Sequence, residues 1–255
     1  MKQRIITAII ALIILVPLII YGDLPFIVMT YLLASVGLYE LTRMYNVNKG
    51  IMYLVLSLPF LWLLLYPYTL FMSSIKVVLL FAIILFILSV LLKNKFTFQD
   101  GSFLFMATFY LGIAFFFLIE VRLLGLNYFL FVLFLIWATD TGAYFVGKSL
   151  GKRKLWPEIS PNKTIAGALG GIIIAIIVAL VFQVVYPFDL SYSMIILIAI
   201  VISVFGQIGD LVASAMKRQY DIKDFGKLFP GHGGVLDRLD SLLFVMLLLY
   251  LLPLF

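Results

Sequence analysis

The sequence contains no cysteine and only one histidine, His232. Without cysteine the chain forms no disulfide and no thiolate metal site, and the redox compartment is undetermined. A single histidine also excludes a multi-histidine metal centre. Charged residues are scarce, at 12% of 255 residues, whereas hydrophobic residues make up 65%. Because soluble globular domains contain about 45–50% apolar residues, the chain is predicted to be an integral membrane protein.

Nine apolar segments approach the length of a membrane span, which is about 20 residues. They are too long and too uniformly apolar for barrel strands, so we predict helices. The predicted fold is all-α, a polytopic helical bundle. It forms one integral membrane domain over 1–255, with mainly apolar helices in 1–130 and a second half, 131–255, in which the candidate functional residues concentrate. The predicted spans are 4–21, 24–41, 51–71, 75–92, 103–121, 127–147, 165–186, 191–213 and 238–254.

The first segment is interpreted as a span rather than a signal peptide, because it lacks a small-residue cleavage site. With the N-terminus inside, sixteen of the eighteen Lys and Arg residues fall on the cytoplasmic side, and only Lys76 and Arg122 fall outside. This asymmetry predicts a cytoplasmic N-terminus. It also accounts for the net charge of +6 without a nucleic-acid partner. We expect the two longest connections, about 148–164 and 214–237, to lie on the cytoplasmic side.

Few polar residues interrupt the spans of the first half. The main ones are Glu40 and Glu120. We interpret both as interfacial carboxylates, with Arg43 and Arg122 near enough in sequence to pair with them.

Charge and glycine concentrate in residues 210–241, which hold five of the twelve acidic residues and the single histidine. Asp210 lies about 10 Å deeper along a helix than Lys217, at 1.5 Å per residue. This arrangement predicts a polar cleft open to the cytoplasm. Pairing of Asp210 with Lys217 or Arg218 for packing alone is the alternative. Four residues at i, i+4, i+7 and i+8 share this helical face: Asp210, Ser214, Lys217 and Arg218.

A glycine turn, PGHGG at 230–234, follows this helix. Glycines let a ligand approach the main chain, and the next helix offers a positive end to an anion. Asp237 and Asp240, at i and i+3, can point to one side of that helix. If they face Asp210, they form an oxygen-rich site for Mg²⁺, which takes one or two carboxylates plus waters and phosphate oxygens. For His232 we favour a structural or phosphate-contact role over general base catalysis.

The sixth span adds Asp140 and Tyr144 at i and i+4. An ionisable residue in mid-span faces the bundle interior or a wet cavity by default. The segment SPNKT, 160–164, precedes the seventh helix and carries hydroxyl, amide and ammonium groups, the last from Lys163. These groups lie near the positive end of that helix, an arrangement that suits an anion. The basic cluster at 148–154 either joins this site or only marks the cytoplasmic side and contacts anionic lipid.

These residues resemble the phosphatidate cytidylyltransferase (CDP-diacylglycerol synthase) family. The segments TDTGAYFVG and SPNKT, and the Q-x-G-D that ends in Asp210, also look like that family. The similarity is specific over about 137–241 and rests mainly on hydropathy before that. Where the family often has K-T-x-E-G, this chain has Ala166 before Gly167. Eleven matching positions fall within 27 residues: Ser214, Lys217, Arg218, Lys223, Asp224, His232, Gly233, Gly234, Asp237, Arg238 and Asp240.

The resemblance implies that CTP and phosphatidate react to CDP-diacylglycerol and pyrophosphate with Mg²⁺, and a second cation is compatible with it. It implies Asp210 and Asp237 as Mg²⁺ ligands, with Asp240 assisting. The expected catalytic phosphate ligands are Lys217, Arg218 and Arg238. The expected substrate-binding residues are Asp140, Tyr144, Ser160, Lys163, Thr164, Ser214, Lys223, Asp224, His232, Gly233 and Gly234.

Two related activities stay open: a CTP-dependent lipid kinase and a cytidylyltransferase for another lipid phosphate. A phosphate or cation transporter is the alternative of a different class, whereas an inactive scaffold is disfavoured by the intact motif. The expected partners are CTP, phosphatidate and membrane lipids, and the expected location is a bacterial inner (plasma) membrane with the active site facing the cytoplasm. A homodimer is compatible with the sequence.

Overall fold

The computed structural model describes residues 2–66 and 71–251. Over these residues the chain forms nine α-helices and one short hairpin, which confirms the all-α fold class. The predicted third and ninth spans include 67–70 and 252–254, which lie outside the described residues. The elements are α1 (Lys2–Tyr21), α2 (Asp23–Tyr45), α3 (Gly50–Leu64), α4 (Phe71–Leu91), α5 (Phe98–Leu124), α6 (Leu126–Leu150), β1 (Lys154–Trp156), β2 (Ser160–Thr164), α7 (Ile165–Val185), α8 (Tyr192–Gln219) and α9 (Leu236–Leu251).

Five helices in the described part of the chain are long and apolar enough to cross a membrane: α2, α5, α6, α7 and α8. Shorter apolar stretches occupy Ile9–Tyr21, Gly50–Leu64 and Ile75–Leu91. Together they indicate an integral membrane protein. The largest extension beyond a predicted span is at α8, which continues past residue 213 to Gln219. Its last turn carries Lys217, whose charge favours the negative end of the helix dipole.

The chain folds into two compact units. The first comprises Met1–Leu123 and Asp224–Arg238, and the second comprises Leu124–Lys223 and Leu239–Phe255. Helix α9 therefore begins in the first unit and continues in the second.

An aromatic cluster forms part of the core of the first unit. Tyr53 of α3 is fully buried and meets Phe96 edge-on, with ring centroids 6.1 Å apart. Such edge-to-face pairs add about 0.5–1.5 kcal/mol beyond the burial of area. The cluster is Tyr53, Phe81, Leu85, Phe96 and Leu104, so it joins α3, α4 and α5.

Two polar contacts fix helix ends in this unit. At the start of α5, Thr97 N–H donates to Asp100 Oδ2 (2.8 Å) and Asp100 N–H donates to Thr97 Oγ1 (3.2 Å), which is a capping box. Near the end of α5, Arg122 Nε donates to Ile19 O (2.7 Å) and Nη2 donates to Ile20 O (2.9 Å). Arg122 thus satisfies carbonyl groups at the end of α1, and this cap replaces the pairing with Glu120 that we expected.

In the second unit, glycines on α7 let α6 approach closely. A Cβ atom at Gly170 would collide with Val146, and one at Gly167 would lie 2.7 Å from Ala143 O. A Cβ at Gly171 would lie 2.8 Å from Thr139 O. Helix association in membranes depends on such close van der Waals packing of small residues.

We expect Gly170→Ala to destabilise the protein by about 1–3 kcal/mol, because its Cβ must displace Val146. Gly206→Ala is the matched control, since its Cβ would lie 3.7 Å from Val245, an ordinary contact. Both changes make the same gain in helix propensity. Thermal unfolding in detergent should show a lower Tm for Gly170→Ala only. Equal Tm values would contradict the packing described for α6 and α7.

The antiparallel hairpin was not predicted. Strand β1 pairs with β2 through Lys154 opposite Thr164 and Trp156 opposite Ser160. Strands of three and five residues are too short to show an alternating pattern, so the sequence indicated only a basic loop. Thr164 also caps the start of α7, because its Oγ1 accepts a hydrogen bond from Gly167 N–H (3.1 Å). The hairpin therefore holds Lys163 directly before a capped helix end.

Candidate active site

A cleft of about 520 Å³ opens in the second unit between the hairpin and helices α6, α7 and α8. Its size lies within the range of small-molecule sites, about 300–1,000 Å³. The fold thus brings together polar residues from segments far apart in sequence. Five predicted site residues line the cleft: Asp140, Tyr144, Lys163, Thr164 and Asp210.

Asp210 forms a short ion pair in this cleft. Its Oδ2 lies 2.6 Å from Lys163 Nζ, and its Oδ1 accepts a hydrogen bond from Ser214 Oγ (3.4 Å). The Asp210 side chain is 36% exposed and that of Lys163 is 25% exposed, so both groups remain accessible to a ligand. From the sequence we expected only Lys217 or Arg218 to pair with Asp210, and Lys163 was not predicted as its partner.

Two further carboxylates interact with Asp210 in the same unit. Asp140 and Asp240 are each near enough to Asp210 for electrostatic repulsion, and Asp240 also repels Asp140. Lys163 attracts Asp140, and Lys217 attracts Asp240. Clustered carboxylates disfavour one another's charged form unless a cation offsets them. This part of the unit is therefore suited to a ligand that carries a cation.

The donor set fits Mg²⁺ better than a metal that needs an all-protein cage. Within the described ranges, no three Asp, Glu, His or Cys side chains are arranged so that they could hold one metal ion. Mg²⁺ is bound by one or two carboxylates plus waters and substrate phosphate oxygens. Of the predicted ligands, Asp210 and Asp240 belong to the second unit and Asp237 to the first, and the metal site stays a prediction.

Four further polar residues line the cleft. Gln207 lies one helical turn before Asp210; its backbone O accepts from Lys163 Nζ (3.5 Å), and its Nε2 donates to Ala168 O (3.2 Å). The i, i+3 spacing to Asp210 was the signal that could have found it. The basic cluster that the sequence left open supplies two lysines. The additional residues are Lys148, Lys154, Asn162 and Gln207.

Other predicted residues of the second unit lie outside the described lining of the cleft. Ser160 begins β2, and Lys217 and Arg218 belong to the last turn of α8. Lys223 is exposed beyond that helix. Ala166, where the family often has glutamate, is half-buried in the first turn of α7 and does not line the cleft either.

The remaining predicted residues lie in the first unit, in the loop of residues 224–235 and the first turn of α9. Phe225 N–H and Gly234 N–H donate to Asp237 Oδ2 at 2.8 and 2.9 Å. Arg238 Nε donates to the backbone O of His232 (2.9 Å). The loop is therefore folded back on the start of α9 by two of the predicted catalytic side chains. Asp224 is exposed at its beginning.

Two glycines in this loop are required by their backbone conformation. Gly231 and Gly233 have φ angles of 80° and 87°, which L side chains rarely adopt. A Cβ at Gly233 would also lie 2.7 Å from Asp237 Oδ2. The N–H of Gly234 is directed at Asp237 Oδ2. Phosphate binding by Gly233 and Gly234 stays a prediction.

Glu40 contacts the end of this loop, and its role was misinterpreted from the sequence. It is 3% exposed, and it accepts hydrogen bonds from Val235 N–H (2.8 Å) and Leu236 N–H (3.0 Å). The interpretation as an interfacial carboxylate paired with Arg43 was wrong, since Arg43 Nη1 donates to Tyr39 OH (3.3 Å). No local pattern could have found this contact, because Glu40 and Val235 are 195 residues apart.

Comparison with known proteins gives matches along nearly the whole chain. The profile of the Cytidylyltransferase family matches residues 2–255. A phosphatidate cytidylyltransferase of Bacillus subtilis (strain 168) is 49% identical over 261 residues, covering 99% of this chain and 97% of that protein. Proteins with the same name from Staphylococcus saprophyticus and Staphylococcus aureus (strain COL) are 42% and 41% identical over 256 residues, covering 99% of this chain and 98% of each relative. The similarity thus includes the first half, where the sequence alone indicated little beyond hydropathy.

Proposed function

This chain belongs to the cytidylyltransferase family, and we propose that it transfers a cytidylyl group from CTP to phosphatidate, giving CDP-diacylglycerol and pyrophosphate. The observation that carries the proposal is the cleft of the second unit, where Lys163 and Asp210 form an ion pair. The alignments cover 97–98% of the length of relatives named phosphatidate cytidylyltransferase, and these names support the choice of substrates.

The reaction depends more on charge neutralisation than on a general base. A phosphate monoester is mostly dianionic at pH 7, since its second pKa is about 6. A phosphatidate oxygen attacks the α-phosphorus of CTP, a new P–O bond forms, and the bond to pyrophosphate breaks. Both reactants are polyanions, so the site must offset charge and align the groups. In the cleft, Lys163, Lys148 and Lys154 are suited to bind phosphate oxygens.

We also propose Mg²⁺ as the cofactor, with Asp210 as a ligand and Asp240 and Asp237 as the further ligands expected from sequence. The acidic neighbours of Asp210 support this assignment, because a phosphate that enters the cleft meets carboxylates as well as lysines. When bound, Mg²⁺ supplies positive charge to the phosphate oxygens. The ammonium of Lys163 holds the Asp210 carboxylate and presents a second cation to the substrate.

We place the protein in the bacterial plasma membrane with the cleft open to the cytoplasm. The bacterial origin of the relatives supports a location in the plasma membrane. The excess of Lys and Arg in the connections that include 148–164 and 214–237 supports the orientation. CTP is available on that side.

The decisive experiment supplies the purified protein in detergent with phosphatidate, Mg²⁺ and CTP labelled on either the α- or the γ-phosphate. Cytidylyl transfer moves the α-label into lipid and the γ-label into pyrophosphate. A CTP-dependent lipid kinase would move the γ-label into lipid, and a transporter would move neither. If no CDP-diacylglycerol forms under varied lipid and salt conditions, the proposed function is wrong.

Chelation should test the metal separately. We expect excess EDTA to lower the rate by at least about 100-fold, because the carboxylates of the cleft then face the substrate phosphates without a cation. Added MgCl₂ should restore the rate, and the same addition of KCl at matched ionic strength is the control. A full rate in excess EDTA would contradict the Mg²⁺ assignment and leave the transfer reaction in place.

A further inference from the structure

Glu40 is a buried carboxylate of the first unit that the proposed chemistry does not use. Its Oε1 accepts from Val235 N–H and its Oε2 accepts from Leu236 N–H, so both oxygens bind consecutive backbone groups where α9 begins. The first N–H groups of a helix have no partner within the helix. A carboxylate at this end also interacts favourably with the helix dipole. Glu40 of α2 therefore acts as a cap supplied from a distant part of the sequence.

Glycines leave the space that this carboxylate occupies. A Cβ at Gly226 or at Gly234 would collide with Glu40 Oε1. Neither glycine adopts the positive φ found at Gly231 and Gly233, so their small size serves Glu40 rather than the backbone of the turn. One turn earlier on α2, a Cβ at Gly37 would lie 3.0 Å from Leu236 Cδ2. Helix α2 thus accommodates both the backbone and a side chain at the start of α9.

The same short segment carries Asp237. Asp237 Oδ2 accepts the N–H of Gly234, and Glu40 accepts the next two, Val235 and Leu236. Three consecutive backbone donors are therefore bound by two carboxylates. Because Leu236 is the residue before Asp237, the bond to Glu40 fixes the backbone from which the Asp237 side chain extends.

We propose that Glu40 is a positioning residue, which holds the start of α9 and so directs Asp237, a predicted Mg²⁺ ligand. Its effect on catalysis rests on the proposed function, whereas its effect on the loop does not. Loss of a hydrogen bond that orients a metal-binding carboxylate typically lowers metal affinity or activity by about 10–100-fold. Through Glu40, the first half of the chain takes part in arranging the active site.

Glu40→Gln tests this role at nearly constant volume. The amide has one acceptor oxygen instead of two, and its NH₂ group faces a backbone donor. We expect the backbone amides of Val235 and Leu236 to exchange hydrogen for deuterium at least about 10-fold faster, because one of their two N–H groups loses its acceptor and meets the amide NH₂ group instead. We also expect kcat to fall about 10–100-fold, with a higher Mg²⁺ requirement and KM for CTP within about threefold of wild type. Glu40→Asp keeps the charge with a shorter reach and should give intermediate exchange and kcat.

Glu120→Gln, the same change on α5, is the matched control and should leave exchange at 234–236 and kcat unchanged. Gly226→Ala keeps Glu40 but displaces its carboxylate, so it should act in the same direction as Glu40→Gln and provides a second variant if that one fails to fold. Wild-type exchange in Glu40→Gln would overturn the contact, and faster exchange with wild-type kcat would overturn the positioning role. If the wild-type chain makes no CDP-diacylglycerol, the proposed function fails, and deuterium exchange alone then decides the Glu40 contact.

Discussion

Replacing Asp210 with asparagine should lower kcat for CDP-diacylglycerol formation by about 10²–10³-fold, the loss typical when one electrostatic contact to a transition state is removed. The change keeps the shape of the side chain but removes the negative charge that pairs with Lys163 at 2.6 Å. A predicted Mg²⁺ ligand is lost at the same time. Steady-state kinetics with labelled CTP, at several Mg²⁺ concentrations, measures the effect.

Asp189→Asn is the matched control for this variant. Asp189 lies in the same unit, exposed between α7 and α8 and away from the cleft, so its rate should equal that of wild type. The Tm of both variants should stay close to that of wild type, because the partly exposed Lys163–Asp210 pair contributes little to stability. A wild-type rate for Asp210→Asn would remove Asp210 from the proposed site.

The second large effect is expected for Lys163→Met, which keeps a long side chain and deletes the ammonium. Lys163 attracts Asp140 as well as Asp210, so its loss leaves two neighbouring carboxylates facing the substrate phosphates. We expect kcat/KM for CTP to fall about 10²–10³-fold, through a higher KM as well as a lower kcat. Kinetics with CTP varied at saturating phosphatidate separate the two parameters.

Lys152→Met tests whether loss of any nearby positive charge has the same effect. Lys152 is exposed in the connection before β1 and does not line the cleft, so its kcat/KM should change less than about threefold. The double variant Lys163→Met with Asp210→Asn should lose much less activity than the product of the single losses, because residues that act as a unit are not additive. Fully multiplicative losses would show that the two side chains act independently.

The helices could be predicted from the sequence because hydrocarbon allows few alternatives for an apolar segment. The predicted seventh span, 165–186, and the helix α7, Ile165–Val185, differ by one residue. The predicted eighth span ended at 213, where hydropathy falls, whereas the helical spacing already placed Lys217 and Arg218 on the same helix, and α8 continues to Gln219. The hairpin formed by β1 and β2 was missed because its strands are held by backbone hydrogen bonds and leave almost no side-chain pattern.

Within the site, sequence spacing identified residues that share an element and could not show which elements meet. The face of α8 that carries Asp210 followed from helical periodicity. Its ion pair with Lys163 required the hairpin to lie beside the turn of α8 that carries Gln207 and Asp210, which no periodicity encodes. Glu40 was harder still, because a lone carboxylate near a helix end is usually interfacial and its backbone partners have no residue-specific signature.

The cap that Glu40 provides for α9 also has a time scale. Val235 follows Glu40 by 195 residues, and at a synthesis rate of about 5–20 residues per second the second partner emerges about 10–40 s after the first. During that interval α2 carries a carboxylate destined for burial whose two donors do not yet exist. Insertion of the early helices must therefore tolerate an unpaired polar group, and completion of the loop before α9 becomes a late event in biogenesis that depends on Val235 and Leu236 reaching Glu40.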